Sequence, residues 1–211
     1  IFYPIVPKDQ KELKGSINSY NCPVVSGYPD VIRSSMEPEE RYGIPFDKPV
    51  ITFNSDKALE KGCRDYLVGT LGVDDKVFRK AFAKAVEARG ENVEKLAVSQ
   101  KKLLDEVVVK GEMTFIVAGR PYHADPLINQ KVGQILSDLG VHAFTDDVFR
   151  TSESEGFGSL KIVSQWSYPN RVVQAAMQVA RLPHNVQLIQ LNSFGCGPDS
   201  FFMDETRDIL R

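Results

Sequence analysis

The chain has 211 residues, of which 42% are hydrophobic and 26% charged, and its formal net charge is −2. This composition is ordinary for a globular protein and allows one large domain or two small ones. The near-neutral charge gives no reason to expect nucleic acid or anionic lipid as a partner. The apolar runs are short and interrupted by charge, so the sequence predicts neither a transmembrane span nor a secretory signal.

The first half of the chain has an irregular pattern. Residues 50–53 are apolar and β-branched enough to predict a strand, and the serine and aspartate after them can cap a helix over 55–71. From 75 to 109 the apolar residues recur at spacings of three and four. This predicts one long amphipathic helix, or a helix pair broken near Gly90.

The second half is more regular. A buried strand over 114–119 is followed by a turn and by a helical pattern over 128–139 that stops at Gly140. The next strand covers 141–145. A strand, a helix of about a dozen residues and another strand form a βαβ unit, so the sheet should be parallel.

The same alternation returns near the end of the sequence, with a helix over 169–180, a strand over 185–191 and a last helix over 201–210. We therefore predict an α/β fold with Rossmann-like parallel sheets and helices on both faces. The predicted organisation, in chain order, is a partial α/β region over 1–72, a long helical connector over 73–111 and a Rossmann-like domain over 112–211.

Three cysteines, Cys22, Cys63 and Cys196, are too few for a disulfide framework and favour a reducing, cytoplasmic location. The chain opens without methionine on a strand-like stretch over 1–6, so we expect a fragment or a processed product whose first domain is truncated.

Cys196 lies between a predicted strand and a predicted helix, where open parallel sheets bind ligands. The flanking Gly195 and Gly197 let the backbone approach a ligand closely, and the amides that open the helix would stabilise a thiolate. A thiolate is the form that binds a metal or a cluster. A small buried cysteine in a tight turn is an equally weighted alternative.

The other candidates carry less information by themselves. Cys22 precedes a proline, as iron–sulfur ligands often do, although most Cys-Pro pairs bind nothing. Cys63 falls inside a helical pattern and reads as structural. His123 follows a strand and can either contact a ligand at that sheet edge or serve the turn. The sequence has no zinc motif, no Walker A motif and no nucleophile elbow, which disfavours a hydrolase or a simple dehydrogenase.

Four segments in order resemble one family: 21–29, 120–129, 166–171 and 190–199. They are similar to the uncharacterised domain that follows the ATP-dependent activase domain in large CoA-enzyme-activase proteins. That domain in turn resembles subunits of 2-hydroxyacyl-CoA dehydratases. The resemblance extends over nearly the whole chain.

The resemblance implies an iron–sulfur protein that takes part in low-potential electron transfer or in radical dehydration of a CoA thioester. It implies that Cys22 and Cys196 are ligands of a [4Fe-4S] cluster, with Gly195, Gly197 and His123 lining the same cofactor site. A cubane cluster usually takes three or four thiolates. The resemblance implies a further cysteine motif upstream of this chain, so the cluster would be absent or incomplete in this stretch alone.

The implied partners are the ATP-dependent activase domain and a dehydratase-like subunit, with acyl-CoA as a further candidate and with no nucleic acid or membrane. The activase nucleotide site is not within these residues, so we expect no activity from this stretch alone. Two alternatives stay open: a non-catalytic scaffold that docks activase and dehydratase, and a CoA-binding regulatory module without metal. The sequence names no substrate.

Overall fold

A computed structural model describes residues 1–11, 13–125, 127–129, 131–150 and 160–211. The chain forms two compact units. The first comprises Ile1–Lys11 and Asn18–Arg89, and the second comprises Glu12–Ile17 and Gly90–Arg211. The division between Arg89 and Gly90 falls inside the long helix of the predicted connector. Among the described helices, none combines the length and the apolar composition that crossing a bilayer requires.

The first unit is mainly helical: α1 covers Pro23–Met36, α2 covers Pro38–Tyr42 and α3 covers Asp56–Leu67. Ser55 caps α3 as predicted, because its side chain accepts a hydrogen bond from the Ala58 amide at 3.2 Å. The buried hydrophobic side chains of this unit include Phe46, Ile51, Leu59, Tyr66 and Phe78.

The strand predicted over 50–53 does not form as a regular strand in the described residues. The segments at 1–8 and 47–53 run parallel and are joined by isolated bridges, such as Ile5 to Val50, and by a set of backbone hydrogen bonds that does not form a regular ladder. Pro4, Pro7 and Pro49 interrupt these segments. Proline lacks a backbone N–H, so a continuous ladder cannot be completed here.

Helix α4, Asp75–Val109, is continuous through Gly90 over its 35 residues, so the single-helix alternative is the one observed. Its last turns supply Leu104 and Val107 to the core of the second unit.

The second unit contains a three-stranded, all-parallel sheet. Strands β1 (Thr114–Ala118), β2 (His142–Thr145) and β3 (Val186–Gln190) lie in the order β2-β1-β3. Ile116 of the central strand pairs with Phe144 on one side and with Leu188 on the other. The predicted α/β class with a Rossmann-like parallel sheet is confirmed.

Three helices accompany this sheet: α5 (Val132–Asp138), α6 (Ser167–Val179) and α7 (Gly197–Ile209). The main core joins one face of β1 to α4 and α6. Its fully buried members include Leu104, Ile116, Ala118 and Ala175. Alternation along β1 places Thr114, Ile116 and Ala118 on the same face, which explains why these three positions are buried.

Helix α6 begins two residues before its predicted start, and two other helices begin four residues away from theirs. α5 starts at Val132 because Lys131 has a left-handed φ of 62° and because Asp125 forms a turn with the Leu127 amide. Positions 126 and 130 of this stretch lie outside the described residues. α7 starts at Gly197, four residues before the predicted start, since Pro198 has a backbone angle suited to a first helical turn.

Candidate functional site

The carboxyl ends of β1 and β3 form the part of the sheet where a ligand is expected. The chain leaves β1 toward β2 on one side, whereas β3 pairs with β1 on the other side and continues into α7. This is the topological switch point of an open parallel sheet, where ligands characteristically bind. The segment after β1 contributes Arg120, Tyr122 and His123, and the segment after β3 contributes Ser193, Cys196 and Asp199. We call these six residues the strand-end cluster.

An ion pair lies at the centre of the strand-end cluster. Arg120 Nη2 lies 2.6 Å from Asp199 Oδ1, and the two side chains are only 10% and 9% exposed. Burial alone would lower the pKa of the guanidinium, but the hydrogen bond and the charge of Asp199 outweigh burial and raise it. The second carboxylate oxygen of Asp199 accepts the Ser193 amide at 2.9 Å. Asp199 therefore ties the two strand ends together.

Cys196 occupies the N-cap position of α7 and is half-buried. Its Sγ accepts a hydrogen bond from Arg120 Nη2 at 3.2 Å, and its amide donates to the Ser193 carbonyl at 3.1 Å. Gly195 has a left-handed φ of 77°, and a Cβ added there or at Gly197 would meet no atom within 4 Å. Cys196 is therefore a partly accessible sulfur with open space beside it and a cation as its hydrogen-bond donor.

The sequence allowed two roles for His123, contact with a ligand or stabilisation of the turn after β1. In the structure it stabilises the turn. Its Nδ1 accepts the Arg120 amide at 3.0 Å, and its own amide donates to the Arg120 carbonyl at 2.8 Å. Burial is the main cause that lowers the pKa of His123; the charge of Asp199 opposes the change and that of Arg120 adds to it. The Tyr122 ring packs edge-on against the imidazole, with centroids 4.6 Å apart, and the Tyr122 hydroxyl hydrogen-bonds with the Ser193 hydroxyl.

Gly119 is the residue that lets the turn close this tightly. A Cβ at this position would lie 2.6 Å from His123 Nδ1 and 3.0 Å from the Leu191 carbonyl oxygen. We expect Gly119→Ala to lower the free energy of unfolding by about 1–3 kcal/mol, because both neighbours belong to the packed junction of β1 and β3. Chemical denaturation monitored by circular dichroism measures this change.

Gly133→Ala is the matched control, since a Cβ at Gly133 within α5 would meet nothing within 4 Å. It should raise stability by about 0.5–1 kcal/mol, the usual gain of alanine over glycine in a helix. Equal effects of the two substitutions on stability would show that the atoms around Gly119 leave room for a Cβ atom.

Cys22 lies in the first unit, and its local arrangement is similar to that of Cys196. It is the N-cap residue of α1, Pro23 follows it in the first helical turn, and it is half-buried. Its carbonyl accepts the Ser26 amide at 2.9 Å. Cys63 lies within α3, and burial raises the pKa of its thiol, so it has the character of a structural cysteine.

The predicted cluster needs more ligands than these two cysteines provide. Among the residues that the structure describes, no group of three or more histidine, cysteine, aspartate or glutamate side chains is placed to hold a metal ion. Cys22 and Cys196 each have the accessibility and the helix N-cap position that suit one thiolate ligand. Each cysteine therefore fits a cluster as a single ligand, and a complete ligand set is not present in the described residues.

Sequence reasoning named Cys196 and His123 but missed four members of the strand-end cluster: Arg120, Tyr122, Ser193 and Asp199. All four lie inside the segments that carried the family resemblance. Opposite charges at positions 120 and 199, in the turns that follow two predicted strands, were the signal that could have identified the ion pair, because adjacent parallel strands end at the same edge.

A comparison with protein-family models matches residues 1–149 to the CoA enzyme activase uncharacterised domain. The matched range includes Cys22, Arg120 and His123, while Cys196 and Asp199 lie beyond it. Searches of curated proteins and of solved structures found no match. The family match covers more than half of the chain and contains two of the four segments that carried the resemblance, 21–29 and 120–129. The chain belongs to the family of the CoA enzyme activase uncharacterised domain.

Proposed function

We propose that the chain is part of an iron–sulfur protein of the 2-hydroxyacyl-CoA dehydratase and activase system, acting in low-potential electron transfer or in radical dehydration of a CoA thioester. The observation that carries the proposal is the setting of Cys196: a half-buried sulfur at a helix N-cap, at the switch point of a parallel sheet, with Arg120 as its hydrogen-bond donor. Membership of the CoA enzyme activase domain family supports the coarser part of the proposal, the link to an activase system.

In this proposal Cys22 and Cys196 are ligands of a [4Fe-4S] cluster, and the remaining ligands come from outside these 211 residues. The bound cluster would supply one-electron chemistry at low potential. Arg120 holds the Cys196 sulfur by a hydrogen bond, and Asp199 holds Arg120 in place. Hydrogen bonds to ligand sulfurs are among the factors that set the potential of such a site. The space around the Cβ positions of Gly195 and Gly197 is open to 4 Å, which favours close approach of a cofactor to Cys196.

The proposed partners are the ATP-dependent activase domain and a dehydratase-like subunit, with acyl-CoA as the ligand class. Three cysteines without a disulfide support the proposed cytoplasmic location, since disulfides are rare in that reducing compartment. The two remaining candidates, a scaffold that docks activase and dehydratase and a metal-free CoA-binding regulatory module, rest on the incomplete ligand set in the described residues.

The test is the iron and acid-labile sulfide content of the full-length protein, purified without oxygen, beside the Cys22→Ala/Cys196→Ala double variant. The wild-type protein should carry a cluster and the double variant should lose it, because two of its thiolates are gone. Cys63→Ala is the matched control and should retain the wild-type iron content, since Cys63 lies within α3.

Equal iron in the wild-type protein and the double variant would show that the two cysteines are not ligands. If neither protein carries a cluster, the scaffold or CoA-binding alternative replaces the electron-transfer proposal. Thermal unfolding of each variant verifies that loss of iron is not a loss of the fold.

A further inference from the structure

The hydrogen bond between the Arg120 amide and His123 determines which imidazole nitrogen carries the proton. A backbone N–H can only donate, so Nδ1, which accepts it at 3.0 Å, is unprotonated. A neutral imidazole then carries its proton on Nε2. Burial keeps the imidazole neutral by lowering the pKa of His123. Within the described residues, the hydrogen bonds of His123 are the two to Arg120, which leaves Nε2–H available as a donor.

A second neutral donor lies beside the imidazole. The hydroxyls of Tyr122 and Ser193 hydrogen-bond with each other, so whichever one donates, the other keeps its own proton to offer. The Tyr122 side chain packs against the His123 ring and is 38% exposed. The charge of the nearby cation is already compensated, because Arg120 Nη2 pairs with Asp199 and also donates to Cys196.

The neutral donors at this site, the Nε2–H of His123 and a hydroxyl of the Tyr122–Ser193 pair, favour one class of ligand group as their hydrogen-bond acceptor. A phosphate or a free carboxylate is bound most strongly by an uncompensated cation, whereas a carbonyl oxygen is satisfied by neutral N–H and O–H donors. We propose that His123 donates a hydrogen bond from Nε2 to the carbonyl oxygen of an acyl thioester bound at the carboxyl ends of β1 and β3. The thioester as the ligand class rests on the proposed function, while the donor role of His123 rests on the geometry of the turn.

The role of His123 in this proposal is to polarise the carbonyl. Its orientation is fixed by the Arg120 amide and by the contact with Tyr122, so the donor is positioned before a ligand binds.

The probes are acetyl-CoA and S-ethyl-CoA, the thioether that lacks the carbonyl oxygen, bound to the full-length protein and followed by calorimetry. Wild-type protein should bind acetyl-CoA about tenfold more tightly, the size expected when one neutral hydrogen bond is lost. His123→Phe should abolish this preference, because the Nε2–H donor is lost. His184→Phe, at an exposed loop histidine, is the matched control and should keep the preference.

Two spectroscopic measurements separate donation to the ligand from a merely structural role. Nitrogen NMR of the wild-type protein should show His123 with a protonated Nε2 and an unprotonated Nδ1. The carbonyl stretch of ¹³C-labelled acetyl-CoA should move to lower frequency on binding to the wild-type protein and to His184→Phe, but not on binding to His123→Phe.

A protonated Nδ1, an unchanged carbonyl stretch in the wild-type complex, or no binding of acetyl-CoA overturns the proposal. Its failure is distinguishable from failure of the proposed function, because iron content measures the cluster and the carbonyl stretch measures the donor. Iron content is therefore measured on the wild-type protein and the cysteine variants, and the carbonyl stretch is compared between the wild-type protein and His123→Phe.

Discussion

Asp199→Asn should lower the free energy of unfolding by about 3–5 kcal/mol, although it only replaces one carboxylate oxygen by an amide NH2 group. The carboxylate is the partner of the buried Arg120 guanidinium at 2.6 Å and also accepts the Ser193 amide. Without the negative charge, the buried guanidinium of Arg120 has no counter-charge. Its hydrogen bond to Cys196 does not replace that ion pair. Urea denaturation of the wild-type protein and the variant measures the difference.

Two further variants isolate the buried charge as the cause. In the double variant Arg120→Met/Asp199→Asn no buried ion remains, so a substantial part of the stability should return. Asp208→Asn removes an ion pair of the same 2.6 Å length, but Lys161 and Asp208 are 74% and 43% exposed, so it should change stability little. If Asp199→Asn behaves like Asp208→Asn, the strand ends are held together by other contacts.

Leu104→Ala should lower the free energy of unfolding by about 2–5 kcal/mol, the range for truncating a fully buried leucine. Leu104 is 0% exposed and belongs to the core cluster that joins α4 to β1 and α6. Truncation leaves a cavity between these elements and removes contacts that hold the helix on the sheet. Calorimetric and denaturant unfolding of the purified variant measure the loss.

The adjacent residue of the same helix is the matched control. Leu103 is 51% exposed, and Leu103→Ala makes the same chemical change with the same helix propensity. Its effect should stay within about 0.5 kcal/mol, as is usual for surface substitutions. Similar losses at both positions would mean that the register of α4 on the core differs from the one described.

The elements with a clear period were predictable from the sequence. Strand β1, the long helix α4 and the parallel βαβ arrangement follow from β-branched runs and from apolar spacings of three and four. The strand at 50–53 was predicted wrongly because composition alone does not show which partner segment it meets, and that partner contains Pro4 and Pro7. The start of α5 was missed because the left-handed Lys131 has no sequence signature comparable to glycine.

The site was predictable only in part. Cys196 could be identified because glycines and a strand-to-helix position surround it in the sequence itself. Arg120 and Asp199 could not be paired with the same ease, since they are 79 residues apart and meet only through the β1–β3 pairing. The tautomer of His123 depends on a backbone hydrogen bond of its turn, which no sequence pattern records. The ligand assignments of Cys22 and Cys196 stay predictions.

The strand order has a consequence for synthesis on the ribosome. Thr114 of β1 pairs with His142 of β2, but its partner in β3 is Val186, which is synthesised later. Arg120 can pair with Asp199 only after a further 79 residues have been added to the chain. At ordinary translation speeds this wait lasts roughly 4–16 s. During that time the nascent chain exposes the unpaired edge of β1 and a cation without its counter-charge. We therefore expect the newly made half-sheet to be the stage at which β1 is most open to pairing with a wrong strand.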